Sequence, residues 1–520
     1  MQIFFRPMGH RSPERTYRLR RAGGVLLAAV LLATIAFSTC AAQTLAHPGW
    51  AGSGLTSEAW WQHGVIYRVQ PQSFQDSNGD GVGDLQGLAQ RLDYLQSIGV
   101  DAVLLESNAT DSGFDDLLSD ASRHHIRIVV QVDGGDSSHP LTAQREINQA
   151  RMWLRRGVAG VFLPGAVVQA LATRGSFNDA VFLMQQLRTL ADSFPGERIV
   201  VAGDTTAVEA SAHGAGRNQG HDGPQLIDGP VNTSSWNAAS VRLKLAEADT
   251  PAAGEPLLQI EREGAAEAVH NHDEQIGREK ILAAMLLSSR GAVSLSYGQE
   301  IGLPVGPATV MQWTPTNLTR PEVAAQKTPP PVIYGAYHPY VRPPSNVLGS
   351  RPGMPRVTLD TASAPPPVDP DTLPGFSTHP PAAGSGFNAA LSNVAIEDND
   401  PDSLLNFYRH VLELHSGNAT LRSGSVTFLD HDGEGALVWL RRAPAGARTV
   451  ASVIVACNLS ERPVVLSLDE DLARLHIRSG FLRPLLTSRH VDHVAQSTGR
   501  ITLSAHSVFI GELYHYGAYR

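Results

Sequence analysis

The chain has 520 residues, with 41 Lys and Arg against 50 Asp and Glu, for a net charge of −9. Hydrophobic residues make up 42% and charged residues 18%, enough to bury the cores of two or three domains, or of one large barrel with an appendage, and bulk disorder is excluded. An acidic chain with no basic block after its N-terminus offers no nucleic-acid surface, and two cysteines, Cys40 and Cys457, exclude a disulfide scaffold and a Cys-rich metal site.

Arg6, Arg11, Arg15, Arg18, Arg20 and Arg21 precede an apolar run over 24–38, which is short of the ~20 residues a spanning helix needs. The small residues Thr39, Cys40, Ala41 and Ala42 follow. This pattern predicts an export signal over 1–42 and a secreted, periplasmic or cell-envelope protein. Two other outcomes stay open, lipidation of Cys40 and an uncleaved anchor, and membrane attachment is expected only in those cases. Cys457 lies in the apolar run ASVIVAC and is expected to be a buried, inert thiol.

A linker over 43–59 leads into alternating strand-like and helix-like runs over 60–303. Strands are predicted at 65–69, 102–105, 126–132, 160–163, 199–203, 225–228, 257–260 and 292–297. Helices are predicted at 85–99, 114–125, 147–157, 177–193, 237–248 and 279–289. Eight βα units imply an α/β fold with a closed parallel (β/α)8 TIM barrel, its site at the C-terminal ends of the strands. Between 304 and 381 lie 19 of the 34 prolines, so 304–395 reads as a long Pro-rich loop or linker. A terminal barrel helix is expected within 396–424, and short β-rich runs over 425–520 predict a C-terminal antiparallel β-sandwich domain.

WWQHGVIYRVQPQSFQDSNGDGVGDLQGLAQRLDYLQSIGVDAVLL, residues 60–105, resembles the start of the α-amylase family, glycoside hydrolase family 13, in its oligo-1,6-glucosidase, α-glucosidase and trehalose synthase branch. WLRRGVAGVFL, VVAGD, HNHD, YGQEIG and MQW follow in the family's order. The resemblance implies a TIM barrel, a protruding domain B after strand 3 and a C-terminal β domain. In this chain DSSHPLTAQRE joins strand 3 directly to the next helix, so a reduced barrel lacking domain B is expected.

Asp76, Asn78, Asp80 and Asp84, with the carbonyl of Val82, place oxygens at alternate positions around a glycine turn, as a hard cation requires. The resemblance assigns structural Ca²⁺ there. A retaining glycosidase needs a carboxylate nucleophile and a carboxylic acid/base. By the resemblance the nucleophile position at the end of strand 4 holds Pro164, and the family's supporting Arg is replaced by Phe162. Asp204 stands at the acid/base position, one methylene shorter than the family's Glu, while His272 and Asp273 match the family's His-Asp pair. Asp136 stands at a substrate-binding His position and Gln70 at an aromatic one. Trp60, Trp61 and Trp313 match structural positions, with sugar stacking the weaker reading.

Two functions follow. The first is a catalytically inactive carbohydrate-binding or scaffold module with an α-glucoside or oligosaccharide ligand. The second is an active α-glucosidase, α-glucan hydrolase or glucosyl transferase using Asp204, His272 and Asp273 as an atypical site.

Overall fold

The computed structural model describes residues 59–75, 77–78, 83–106, 113–132, 142–174, 177–203, 224–232, 236–248, 255–261, 272–302, 394–443, 450–488 and 494–514. Eight short parallel strands close into a barrel: β1 (Val65–Val69), β2 (Ala102–Leu105), β3 (Arg127–Gln131), β4 (Gly160–Leu163), β5 (Ile199–Ala202), β6 (Leu226–Asn232), β7 (Glu255–Glu261) and β8 (Ala292–Ser296). Closure is made by β1 on β8, with Ile66 opposite Ser294 and Arg68 opposite Ser296. These strands are near-continuous apolar runs because both of their faces are covered.

Alternation sorts the side chains. Ile66, Leu104, Val129, Val201, Leu226 and Leu257 pack on one another in the interior. Their neighbours Tyr67, Val103, Val130, Val200 and Leu258 point outward into the layer under the helices. Two residues further along an inward series therefore point inward again.

The outer layer is α1 (Leu85–Ala89), α2 (Leu92–Ser97), α3 (Phe114–Arg123), α4 (Ala143–Arg156), α5 (Gly165–Arg174), α6 (Phe177–Asp192), α7 (Ala238–Ala248) and α8 (His272–Leu287). Several expectations are corrected. The single helix predicted over 85–99 is two, with a tighter turn where Arg91 N donates to Leu88 O at 3.0 Å. Beside that turn Gly87 packs so closely on Gln75 that a Cβ would meet its carbonyl oxygen at 2.0 Å. α4 starts four residues earlier than predicted, capped by the Thr142 hydroxyl, which accepts from Arg145 N. α5 has no counterpart in the prediction, and α8 starts at His272 rather than 279. Only residues 132–142 separate β3 from α4, too few for an inserted domain.

Helices α9 (Val394–Asp398), α10 (Leu404–Gly417) and α11 (Ala419–Ser423) lead out of the barrel, so the span 396–424 holds more than one helix and the first begins inside the predicted Pro-rich segment. The C-terminal strands are β9 (Ser425–Leu429), β10 (Ala436–Arg442), β11 (Val453–Asn458), β12 (Val464–Leu466), β13 (Phe481–Thr487), β14 (Gln496–Ser497), β15 (Ile501–Leu503) and β16 (Ser507–Tyr514), with α12 (Asp469–Arg474) between β12 and β13. They form a six-stranded antiparallel sheet, ordered β14-β13-β16-β11-β10-β9, and a two-stranded one, β12-β15. Leu437, Trp439, Val455 and Cys457 face the barrel's core, while Val438, Leu440 and Ile454 face Leu466 and Ile501 of the small sheet. Cys457 is fully buried, and burial pushes its thiol well above the usual range, which matches the inert thiol expected.

Candidate functional site

At the C-terminal end of the barrel the inward series turns from aliphatic to polar. Arg68, two residues beyond Ile66 on β1, reaches across the interior. Its Nε donates to Glu106 Oε1, just past β2, at 2.5 Å. Its Nη1 donates to Asp228 Oδ2 of β6 at 2.7 Å and to Gln259 Oε1 of β7 at 2.5 Å. The guanidinium carbon lies 5.3 Å from the ring centroid of Phe162 on β4. Gln259 in turn donates to Ser296 Oγ of β8 at 3.3 Å. Groups on or beside four other strands, β2, β4, β6 and β7, thus meet one cation from β1. Burial works against the charge, but Asp228 and Glu106 more than offset it, so the guanidinium is held above its ordinary pKa.

Pro164 follows β4 directly and opens α5. Its carbonyl accepts from Val167 N at 2.9 Å and Val168 N at 3.3 Å. Gly203, at the end of β5, presses on this junction, where a Cβ would meet Gly165 N at 2.3 Å. The strand-4 end therefore offers a proline ring and backbone only. Phe162 points into the barrel and is 4% exposed.

His272 and Asp273 are brought together in the first turn of α8, with Asp273 exposed. Both residues lie within the helix, ahead of the start at 279 expected from the sequence. Asp204 and Asp136 lie outside the described residues, as do Asp76, Asp80, Val82, Cys40 and Trp313. Of the expected cation ligands, Asn78 and Asp84 are described. Asp84 caps α1 through Oδ1, which accepts from Gly87 N at 2.6 Å. Its Oδ2 accepts from Ser77 Oγ at 2.7 Å and Asn78 Nδ2 at 3.4 Å, so two of the described side chains of this turn donate to one carboxylate. Among the described residues no group of three His, Cys, Asp or Glu side chains is arranged to hold a metal.

Trp60 and Trp61 close the opposite, N-terminal end of the barrel. Both pack on the interior cluster, Trp60 Nε1 donates to Glu197 O at 3.1 Å, and Arg127 lies over the Trp60 ring at 4.6 Å. Their structural role agrees with the reading that set sugar stacking second.

Sequence reasoning missed the Arg68 cluster. The available signal was parity: Ile66 inward makes Arg68 inward, and a charged side chain in a barrel interior must find partners. Glu106 and Asp228 lie 38 and 160 residues away in sequence, and only closure of the barrel unites them with Arg68.

The fold is thus an eight-stranded parallel barrel carrying a C-terminal antiparallel sheet, with polar groups gathered at the strands' C-terminal ends. In sequence, residues 68–116 match the family described as alpha amylase, catalytic domain. A segment of 60 residues is 53% identical to the trehalose-6-phosphate hydrolase of Escherichia coli, covering 11% of each chain. Another 60-residue match is 48% identical to the oligo-1,6-glucosidase of Bacillus cereus, again 11% of each. A third, of 97 residues, is 37% identical to the glucan 1,6-alpha-glucosidase of Streptococcus pneumoniae and covers 14% of this chain and 18% of that one. These matches therefore span between a tenth and a fifth of the relatives' own length. In fold, the trehalulose synthase of Pseudomonas mesoacidophila superposes with a TM-score of 0.61 at 15% identity, over 88% of this chain and all of that one. The trehalose-6-phosphate hydrolase of Bacillus licheniformis gives 0.62 at 14%, with the same coverage. The resemblance to glycoside hydrolase family 13 thus holds in sequence over the early βα units and in fold over the barrel and the C-terminal sheet.

Proposed function

We propose that this chain is an exported carbohydrate-recognition protein on an α-amylase scaffold that does not hydrolyse its α-glucoside or oligosaccharide ligand. The carrying observation is Pro164 at the end of β4, with Phe162 behind it. A proline ring has no lone pair to attack an anomeric carbon, and a phenyl ring supplies no charge-assisted bond to a carboxylate. Arg68 spans the interior in front of Phe162, where a sugar ring would descend. A solved structure of a trehalulose synthase double mutant holds isomaltulose, which supports a glucoside as the class of ligand.

Structural Ca²⁺ at Asp76, Asn78, Asp80, Val82 and Asp84 belongs to the same proposal. The donor set, all oxygens with several carboxylates, suits that ion. Export through residues 1–42, with Cys40 as the alternative attachment point, completes it. A second reading, hydrolysis or glucosyl transfer with Asp204, His272 and Asp273, draws on the 53% identity with a named hydrolase.

The test is turnover of aryl α-glucosides, maltose, sucrose and trehalose by purified protein, paired with calorimetric binding of the same sugars. Saturable binding without turnover is expected. Turnover that disappears in Asp273→Ala would establish the second reading instead.

A further inference from the structure

We propose that Arg68 is a built-in occupant of the barrel mouth, and that the groups around it form a receptor for a guanidinium-type cation. The proposal stands whether or not the chain hydrolyses glycosides.

Shape is the first argument. A guanidinium is a flat fork, with donors in its plane and an apolar face above and below. The surroundings of Arg68 match both features. Glu106 and Asp228 take up donors on two sides, Gln259 accepts from the same nitrogen as Asp228, and the guanidinium carbon stands over the Phe162 ring, 5.3 Å from its centroid. A compact ammonium ion lacks the rigid fork that meets Glu106 and Asp228 from two different nitrogens.

Charge is the second argument. Two carboxylates meet one cation, and all three side chains are largely withdrawn from water: Arg68 is 16% exposed, Glu106 19% and Asp228 10%. Without the cation, Glu106 and Asp228 would be two like charges in a low-dielectric interior, a strongly unfavourable arrangement. The cradle therefore demands a positive partner, and the chain supplies one from β1.

Position is the third argument. Arg68 starts on β1 and its partners stand on or beside β2, β4, β6 and β7, so the side chain crosses the interior. A ligand reaching this layer has to displace Arg68. Any sugar held at the mouth sits above that level while Arg68 is in place.

The experiment follows the melting temperature of Arg68→Ala during titration with methylguanidinium, at millimolar concentrations well below those that denature proteins. The variant is expected to melt several degrees below the wild type, and methylguanidinium to restore most of the loss saturably. The wild type, whose cradle is full, is expected not to respond, nor is Arg68→Ala carrying Glu106→Gln and Asp228→Asn. Tetramethylammonium at equal concentration is expected to have no effect. A folded Arg68→Ala with no saturable response overturns the proposal, and so does a response equally large in the triple variant. If Arg68→Ala is not recovered folded, it is refolded with and without methylguanidinium. Recovery only with the cation supports the proposal. Failure in both, together with failure of the triple variant to fold, overturns it.

Discussion

His415 of α10 sets its Nδ1 2.8 Å from the carbonyl oxygen of Leu287, at the end of α8, and its Nε2 3.1 Å from that of His63, just before β1. One fully buried imidazole thus ties the terminal helix to both ends of the barrel's closure. A neutral ring has a single N–H and donates to only one of these carbonyls. Burial is the main reason the ring stays neutral. The charges of His63 and Arg441 add to it, and together they outweigh the two carbonyls and push the pKa down to about 4.

Stability should therefore depend on pH with a defined sign. His415 titrates at about 4 in the folded protein and near 6.5 in the unfolded chain. Its contribution is complete above pH 6.5 and is lost as pH falls through 4, by about 3 kcal/mol. His63, also pushed down to about 4 by burial and then by Arg422, acts in the same direction. Asp101 opposes them. Its buried carboxyl is raised to about 6, so its contribution is complete below the usual carboxylate pKa and is lost as pH rises through 6. Urea denaturation across pH 4 to 7 should show the wild type losing its advantage over His415→Gln as the medium is acidified, and Asp101→Asn should steepen the acid loss. A gap between wild type and His415→Gln that stays constant with pH would refute the assignment.

Glu300 gives a second expectation. It is 1% exposed and Oε1 accepts from Tyr67 OH at 2.9 Å and Tyr94 OH at 3.1 Å, joining β1 and α2 to the turn after β8. Burial first, then the Glu300 charge, holds the Tyr94 phenol well above its ordinary range. Glu300→Ala removes the acceptor of two buried phenol O–H groups and should cost about 3 kcal/mol, whereas Glu300→Gln keeps an acceptor and should cost about 1. Equal losses in denaturant melts would mean that the acceptor oxygen is not what matters.

The fold was legible because each barrel strand is a short apolar run bounded by turn residues, and eight such runs leave few arrangements other than a closed barrel. α5 was hidden because Pro164-Gly165 reads as a break. A proline is harmless just before a helix, where only its carbonyl is needed, and that carbonyl is used by Val167 and Val168. The start of α8 was hidden because HNHD matched a motif, and the match outweighed the helical continuity of 272–287. Pro164 and Phe162 could be placed from sequence because both lie in or beside a strand whose register is fixed. The Arg68 cluster could not, because its members come from strands far apart in the chain.

Asp84 separates a capping role from a cation-binding one. Asp84→Ala removes the acceptor for Gly87 N and should cost about 1 kcal/mol with or without calcium. Asp84→Asn keeps an acceptor at the cap but removes a charge from the proposed calcium turn. The wild type should therefore melt at a higher temperature with calcium than with a chelator, and Asp84→Asn should lose that increment while matching the wild type in chelator. Identical melts of the wild type in calcium and chelator would remove calcium from the proposal.

Arg441 of β10 decides whether the barrel and the C-terminal sheet unfold as one. It is fully buried, and its Nη1 donates to Ser288 O at 3.1 Å at the end of α8 while Nη2 donates to Leu421 O at 2.6 Å in α11. Lys280 of α8 makes the reciprocal contact, donating to Ser488 O at 3.0 Å beyond β13. Around these staples, Trp439, Val455 and Ile510 of the six-stranded sheet belong to the same core as Leu286 and Leu412 of the barrel side. An apolar face shared in this way does not stay soluble when bared, so deletion of 425–520 should leave the barrel aggregating. Arg441→Ala takes the guanidinium donor from the carbonyls of Ser288 and Leu421 and should cost about 3 kcal/mol. Arg441→Lys should recover only part of that loss, since one ammonium cannot reach carbonyls that the guanidinium fork spans. Because the lost bonds join the two parts, the whole cooperative transition should move to lower urea. A barrel signal that holds its midpoint while the sheet melts early would show instead that the junction is not shared.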